Sequence, residues 1–220
     1  MSAQETDGEF ELKRDGAARR RVLVIACGAL AREMLALSRG VGDAFDVTCL
    51  PARLHNRPEK IAEAVRGKIR ANRERYDEIF CLYGDCGTGG ALDAVLAEER
   101  VERIAGPHCY AFFAGEAAFD AMMEEAPGTF FLTDFLARHF QRLVIEGLGL
   151  DRFPQLRDDY FGAYTRLIYL AQTDDPELDA KARSGARRLG LAYQRRFTGL
   201  SGLADFIDKT RKAAEGAWVA

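Results

Sequence analysis

Short apolar runs rich in branched residues recur along this 220-residue chain, and each is followed by a stretch with helical spacing. That alternation narrows the fold more than any other feature. A strand buried on both faces reads as a nearly unbroken apolar run, and parallel neighbours need a crossover helix between them. The runs are Val22–Cys27, 45–50, 78–83, 101–105 and Thr129–Leu132. After the first, Leu30, Met34 and Leu37 share one helix face over 30–39; after the second, Pro58 opens a helix continued by Ile61, Val65 and Ile69. The third run breaks at the glycine-rich stretch 84–90, and Leu92, Val95 and Leu96 form the stripe behind it.

Helices are expected over 109–124 and 133–147, and the last third repeats the pattern with a helix over 158–164, a strand Arg166–Ala171, a helix Pro176–Leu189, a strand Ala192–Phe197 and a helix 200–212. The fold class is therefore α/β: mostly parallel sheet or sheets with helices on both faces, Rossmann-like. Residues 18–220 form one such domain, or two lobes with the second starting from about residue 150. Residues 1–17 read as a frayed, disordered tail. Phe112, Phe113 and Phe119 suit a core better than a dimer face, and the oligomeric state is left open.

With 30% charged residues and a net charge of −3, the chain has no field suited to nucleic acid, and no apolar run long enough to span a membrane. A small-molecule substrate fits better. The polar start lacks an export signal, so a cytoplasmic location with reduced thiols is expected for its five cysteines.

Ligands of an open α/β sheet meet the carboxyl ends of its strands, which makes those ends the place to search. Three cysteines stand there: Cys27 in Ala26-Cys27-Gly28, Cys86 in Gly84-Asp85-Cys86-Gly87, and Cys109 in Gly106-Pro107-His108-Cys109. Each is expected to begin a helix, where a thiolate is stabilised. Together with His108, His55 or Asp85 they have the donor types of a zinc site, and an iron–sulfur cluster is the alternative. Buried cysteine is common, so any one of them taken singly is better explained as a small core residue. Cys49 and Cys81 lie inside strands and are assigned to the core.

The loop 84–90 has neither the lysine of a P-loop nor dinucleotide-type glycine spacing, but its backbone, at Gly87 and Thr88 above all, could cradle a substrate anion. Arg53 and Arg57 could clamp a carboxylate or phosphate, with Asn56 beside them. The plain alternative is a helix entry in which Asn56 is the cap and the arginines are solvated. His139 reads as structural, and Thr133 or Asp134 as a helix cap.

Taken in order, the stretch from Val24 through Cys27 and Gly28 to Leu30 with Glu33, the run Leu54-His55-Asn56 with Pro58, Tyr83-Gly84 with Cys86, Gly87 and Gly89, and Pro107-His108-Cys109 resemble the uncharacterised DUF1638 family. So do Pro127-Gly128-Thr129 with Leu132 and Thr133, and the later segment 186–191. The family pattern before the last cysteine is usually longer than the one here and includes an Arg and an Asp; Cys109 is the residue carried over. The resemblance implies a cytoplasmic protein encoded beside corrinoid-dependent methyltransferase systems. It thereby implies one-carbon or methylated-amine metabolism, with a corrinoid as a further cofactor and a corrinoid protein or methyltransferase as partner.

The leading expectation is then a metal-dependent enzyme or accessory factor, zinc first. Cys27, Cys86, Cys109 and His108 serve as ligands, His55 and Glu33 orient or deprotonate substrate, and the arginines hold its anionic end. A non-enzymatic module binding a corrinoid, metal or anion for a methyltransferase is the second expectation. The third is a metal-free enzyme with Cys86 as nucleophile, assisted by His55 or His108.

Overall fold

The computed structural model describes residues 10–12, 20–40, 44–104 and 106–216. In chain order the elements are β1 (Phe10–Leu12), β2 (Val22–Cys27), α1 (Ala31–Gly40), β3 (Asp46–Leu50), α2 (Ile61–Asn72), β4 (Glu78–Leu82), α3 (Ala91–Glu99) and β5 (Glu102–Arg103). There follow α4 (Cys109–Ala114), α5 (Glu116–Glu125), β6 (Thr129–Leu132), α6 (Asp134–Arg138), α7 (Leu156–Phe161), β7 (Arg166–Ala171), α8 (Pro176–Leu189), β8 (Ala192–Phe197) and α9 (Ala204–Ala214). The α/β class expected from the alternation is the one observed.

The chain divides into two units, one reaching to Cys109 and resuming at Leu203, the other Tyr110–Gly202. The second therefore begins well before residue 150, where the sequence put it. The reason is that β6 pairs with β7 and not with the first sheet.

In the first unit the sheet order is β1-β3-β2-β4-β5. β3, β2, β4 and β5 run parallel, with Ile25 opposite Thr48 on one side and Cys81 on the other. Phe10–Leu12 falls in the stretch read as a tail, yet it pairs antiparallel with β3, whose open edge offers a row of unpaired backbone groups. The rest of 1–17, and residue 105 at the end of the run 101–105, lie outside the described residues. The core of this unit includes Val22, Ile25, Ile61, Val65, Ile69 and Leu92, which places the expected helix stripes against the sheet. Winding goes from β2 outward to β3, then back across β2 to β4. Its direction therefore reverses between β2 and β4, the place at which open α/β sheets bind their ligands.

In the second unit β6, β7 and β8 form a parallel sheet in that order. Leu167, Tyr169, Leu178, Ala182, Ala186 and Leu189 lie in one core cluster and Phe119, Phe131 and Ile168 in another. Phe112, Phe113 and Phe119 are buried, which settles them as core. Two helices read as continuous are broken. Gly115, at φ +81, separates α4 from α5, because a left-handed residue ends a right-handed helix. The run 133–147 is the short α6 followed by a π-helical turn, Gln141–Glu146.

Thr133 caps α6, its hydroxyl accepting from Leu136 N at 3.4 Å. Asp134, buried, reaches across to the end of β7. Its carboxylate accepts from the Tyr169 hydroxyl at 2.7 Å, from the backbone N–H groups of Gln172 and Thr173 at 3.0 Å each, and from the Thr173 hydroxyl at 2.5 Å. His139 stands at the C-terminal cap of α6 and not within a longer helix, with its ring 4.7 Å from that of Phe135.

Candidate functional site

Three chain segments meet past the carboxyl ends of β2 and β4, held together by close backbone approach, and glycine permits two of those approaches. A Cβ on Gly28 would stand 2.7 Å from the Leu50 carbonyl oxygen, so only glycine lets the turn after Cys27 lie against the end of β3. That approach brings the 3-10 turn Ala52–Asn56 beside β2. His55 on the turn has Nδ1 3.1 Å from the Ala52 carbonyl oxygen and 3.7 Å from Cys27 Sγ. Cys27 Sγ also accepts from Ala29 N at 3.3 Å, making Cys27 the cap of its own 3-10 turn.

The loop after β4 is fixed in a similar way. A Cβ on Gly84 would stand 3.0 Å from the Pro107 oxygen and the His108 backbone, and Cys86 N donates to the Pro107 carbonyl at 3.0 Å. His108 and Cys109 are thereby held against Cys86. Cys86 itself has φ +49, a left-handed conformation uncommon for a residue with a side chain and maintained only where surrounding bonds enforce it.

Asp85 supplies that enforcement. Its carboxylate accepts from the Thr88 hydroxyl at 2.5 Å and from Gly90 N and Gly89 N at 2.9 and 3.2 Å. These bonds hold the carboxyl below its ordinary range, the Thr88 hydroxyl contributing most. Asp85 thus occupies, from within the chain, the amide cradle that the glycine-rich loop was expected to offer an anion. Thr88 is likewise committed, because its hydroxyl also accepts from Leu92 N at 3.3 Å.

Charge at the site centres on Cys86. Burial pushes its thiol up, but hydrogen bonds from His108 and His55 and the charges of both rings more than offset that, bringing it from the ordinary 9.0 down to about 6. His55 is pushed well above the ordinary imidazole value, first by the charge of Cys27, against desolvation, and then by hydrogen bonds to Cys27 and Cys86. Both shifts favour the thiolate of Cys86 and the charged form of His55. The other thiols behave differently. Desolvation pushes Cys49 and Cys81 up to about 12 each, as befits the core positions they occupy. Cys109 is raised well above its ordinary value by desolvation first, then by the charges of Cys86, Cys27 and the buried Glu33.

Of the residues singled out from the sequence, Cys27, His55, Cys86, His108, Cys109 and Glu33 act on one another electrostatically past the ends of β2 and β4. Arg53, Asn56 and Arg57 are exposed on or beside the turn that bears His55. Asn56 does not cap the following helix: Arg57 stands at the cap position of the Pro58–Lys60 turn, with no side-chain bond. Among the described residues, no three His, Cys, Asp or Glu side chains stand together in a geometry that could hold a metal ion. The donor types suit zinc, but their present arrangement does not.

The sequence reading missed Tyr83. It is 1% exposed, its ring stacks on that of His55 at 6.4 Å with an 18° interplanar angle, and its hydroxyl has no partner at hydrogen-bonding geometry. Burial first, and the charge of Cys27 next, hold that hydroxyl protonated well above its ordinary value. Its position as the first residue past an apolar strand was a visible signal, since ligands of such sheets meet the strands' carboxyl ends.

No helix among the described residues is long and apolar enough to cross a membrane. The family model described as "Protein of unknown function (DUF1638)" matches residues 49–207, and the chain belongs to that family. Neither a curated protein nor a solved structure matches it significantly.

Proposed function

We propose that this DUF1638 member is a cysteine-dependent enzyme acting on a small electrophilic substrate, with Cys86 as the nucleophile. What supports the reading is that Cys86 stands past the end of β4 at the winding reversal of a parallel sheet, in the left-handed conformation that its loop enforces, where hydrogen bonds from His108 and His55 outweigh burial and lower its thiol to about 6. A thiolate is the reactive form of cysteine, and a flanking imidazolium both stabilises it and has a proton to give to a leaving group. Cys86 attacks the electrophilic carbon, and His55 or His108 protonates the departing atom. Cys27 and Glu33 act behind them: Cys27, its sulfur 3.7 Å from His55 Nδ1, favours the charged ring, and Glu33 adds a small share to the desolvation and thiol charges that raise Cys109.

The test is brief labelling of the whole protein with iodoacetamide at pH 7, located by mass spectrometry, beside elemental analysis of the same sample. The proposal expects one label at Cys86 ahead of the other four cysteines. Equal labelling of Cys27, Cys86 and Cys109, or protection of all three, overturns it.

A second reading assigns the same side chains to zinc or another soft metal, in an enzyme or accessory factor of one-carbon metabolism. Its supporting observation is that Cys27, Cys86 and Cys109 lie near enough for the first two to raise the third. The corrinoid and the methyltransferase partner implied by the family resemblance belong with this alternative. It ranks second because the described donors do not converge on one point. About one bound zinc or iron per chain, with the three cysteines protected together, would favour it.

A further inference from the structure

We infer that Tyr83 is the hydrogen-bond donor for the oxygen of a carbonyl substrate, so that the electrophile Cys86 accepts is an acyl group. The inference deepens the proposed function and rests on it. Its starting point is an imbalance inside the protein. The Tyr83 hydroxyl is buried beside His55 and the Cys27 and Cys86 thiols, yet no protein acceptor stands in full hydrogen-bonding geometry to it. The Cys27 sulfur is near enough to act on it, but sulfur is a weak acceptor and is already engaged by Ala29 N and His55. Buried hydroxyls almost always find a partner, and one left without a partner costs free energy that a phenylalanine in its place would not.

The orientation of the group gives that cost a use. Stacking beside His55 orients the phenol ring, and a buried phenol keeps its proton near neutral pH, so it can donate but does not ionise. A fixed neutral donor next to a nucleophile is the arrangement that stabilises negative charge developing on a substrate oxygen. An alkyl donor attacked at a saturated carbon develops no such charge on oxygen. An ester or thioester does.

In the step proposed, Cys86 Sγ bonds to the carbonyl carbon and the carbonyl π pair moves onto oxygen, which accepts from the Tyr83 hydroxyl. The pair then returns, the bond to the leaving group breaks, and the leaving group departs with those electrons and takes a proton from His55 or His108. A thioester on Cys86 is the product. No oxidant or reductant is required.

The experiment compares two probes on the full chain. Iodoacetamide reacts with Cys86 at a saturated carbon, whereas p-nitrophenyl acetate acylates it and releases p-nitrophenolate. In Tyr83→Phe, alkylation of Cys86 and its pH midpoint should stay within about twofold of the wild type, while the acylation burst slows at least tenfold, about 1.4 kcal/mol in barrier. Equal loss of both reactions would mark Tyr83 as structural and overturn the inference, as would loss of neither. Should Tyr83→Phe fail to fold, the wild type still decides. Relative to N-acetylcysteine, Cys86 must favour the acetate ester over iodoacetamide by at least tenfold, and no such preference overturns the inference. Cys86→Ala separates the two levels: if it leaves the acylation burst unchanged, the nucleophile assignment itself fails, whatever Tyr83 does.

Discussion

Removing His108 isolates the interaction on which the reactivity of Cys86 depends. In the intact protein the thiol lies at about 6 instead of 9.0 although burial alone would raise it, and the hydrogen bond from His108 is the largest of the effects that lower it. The gap between 9.0 and about 6 corresponds to about 4 kcal/mol favouring the thiolate, which at pH 7 means about 90% ionised where an ordinary cysteine is about 1%. His108→Ala removes the hydrogen bond and the charge together and leaves the burial, so the midpoint should climb by at least one pH unit. For a rise of one unit, the thiolate fraction at pH 6 falls from about 50% to about 10%, and alkylation there slows about fivefold. The assay is the pseudo-first-order rate of iodoacetamide labelling at Cys86 from pH 5 to 9, read by mass spectrometry. His108→Gln, which keeps a donor without the charge, should fall between the two. A wild-type midpoint at or above pH 8, or one that His108→Ala leaves near 6, would refute the electrostatic account and with it the case for Cys86 as nucleophile.

Three further outcomes follow from the same geometry. Cys86 is depressed, so its contribution to folding stability is full above pH 9.0 and vanishes as pH falls through about 6, whereas the raised His55 contributes fully below 6.5 and loses its share as pH climbs through its elevated value. Urea unfolding of Cys86→Ser should therefore match the wild type at pH 5.5 and fall behind it by about 1–3 kcal/mol at pH 8, a gap that must be absent at the lower pH. Asp134→Ala strips acceptors from the Tyr169 hydroxyl and from the Gln172 and Thr173 N–H groups, and should cost about 3 kcal/mol in chemical denaturation; a loss under about 1 kcal/mol would mean these groups find other partners. Gly28→Ala drives a Cβ toward the Leu50 oxygen 2.7 Å away and should cost about 1–3 kcal/mol, with a concurrent rise in the Cys86 midpoint as the turn bearing His55 is displaced.

Features set by near neighbours in the chain were legible. The ends of β2, β6, β7, α8 and β8 fall where apolar runs, Pro176 and Gly190 mark them, because strand and helix signals are set within a few residues. Breaks that depend on a single backbone conformation, such as left-handed Gly115 between α4 and α5, left no pattern to detect. The strand-end rule also found Cys27, Cys86 and Cys109 and the histidines near them, but it could not say what any of them faces. That was decided by the sheet order, which sets β2 beside β4, and by the close backbone approaches at Gly28 and Gly84 that draw His55 and His108 toward the thiols. Asp85 fills the glycine loop through bonds only three to five residues along the chain, whereas long-range packing left the Tyr83 hydroxyl unmatched beside the site. The types of side chain available were a property of the sequence; which thiol ionises depends on dielectric and charge across distances that only the folded chain defines.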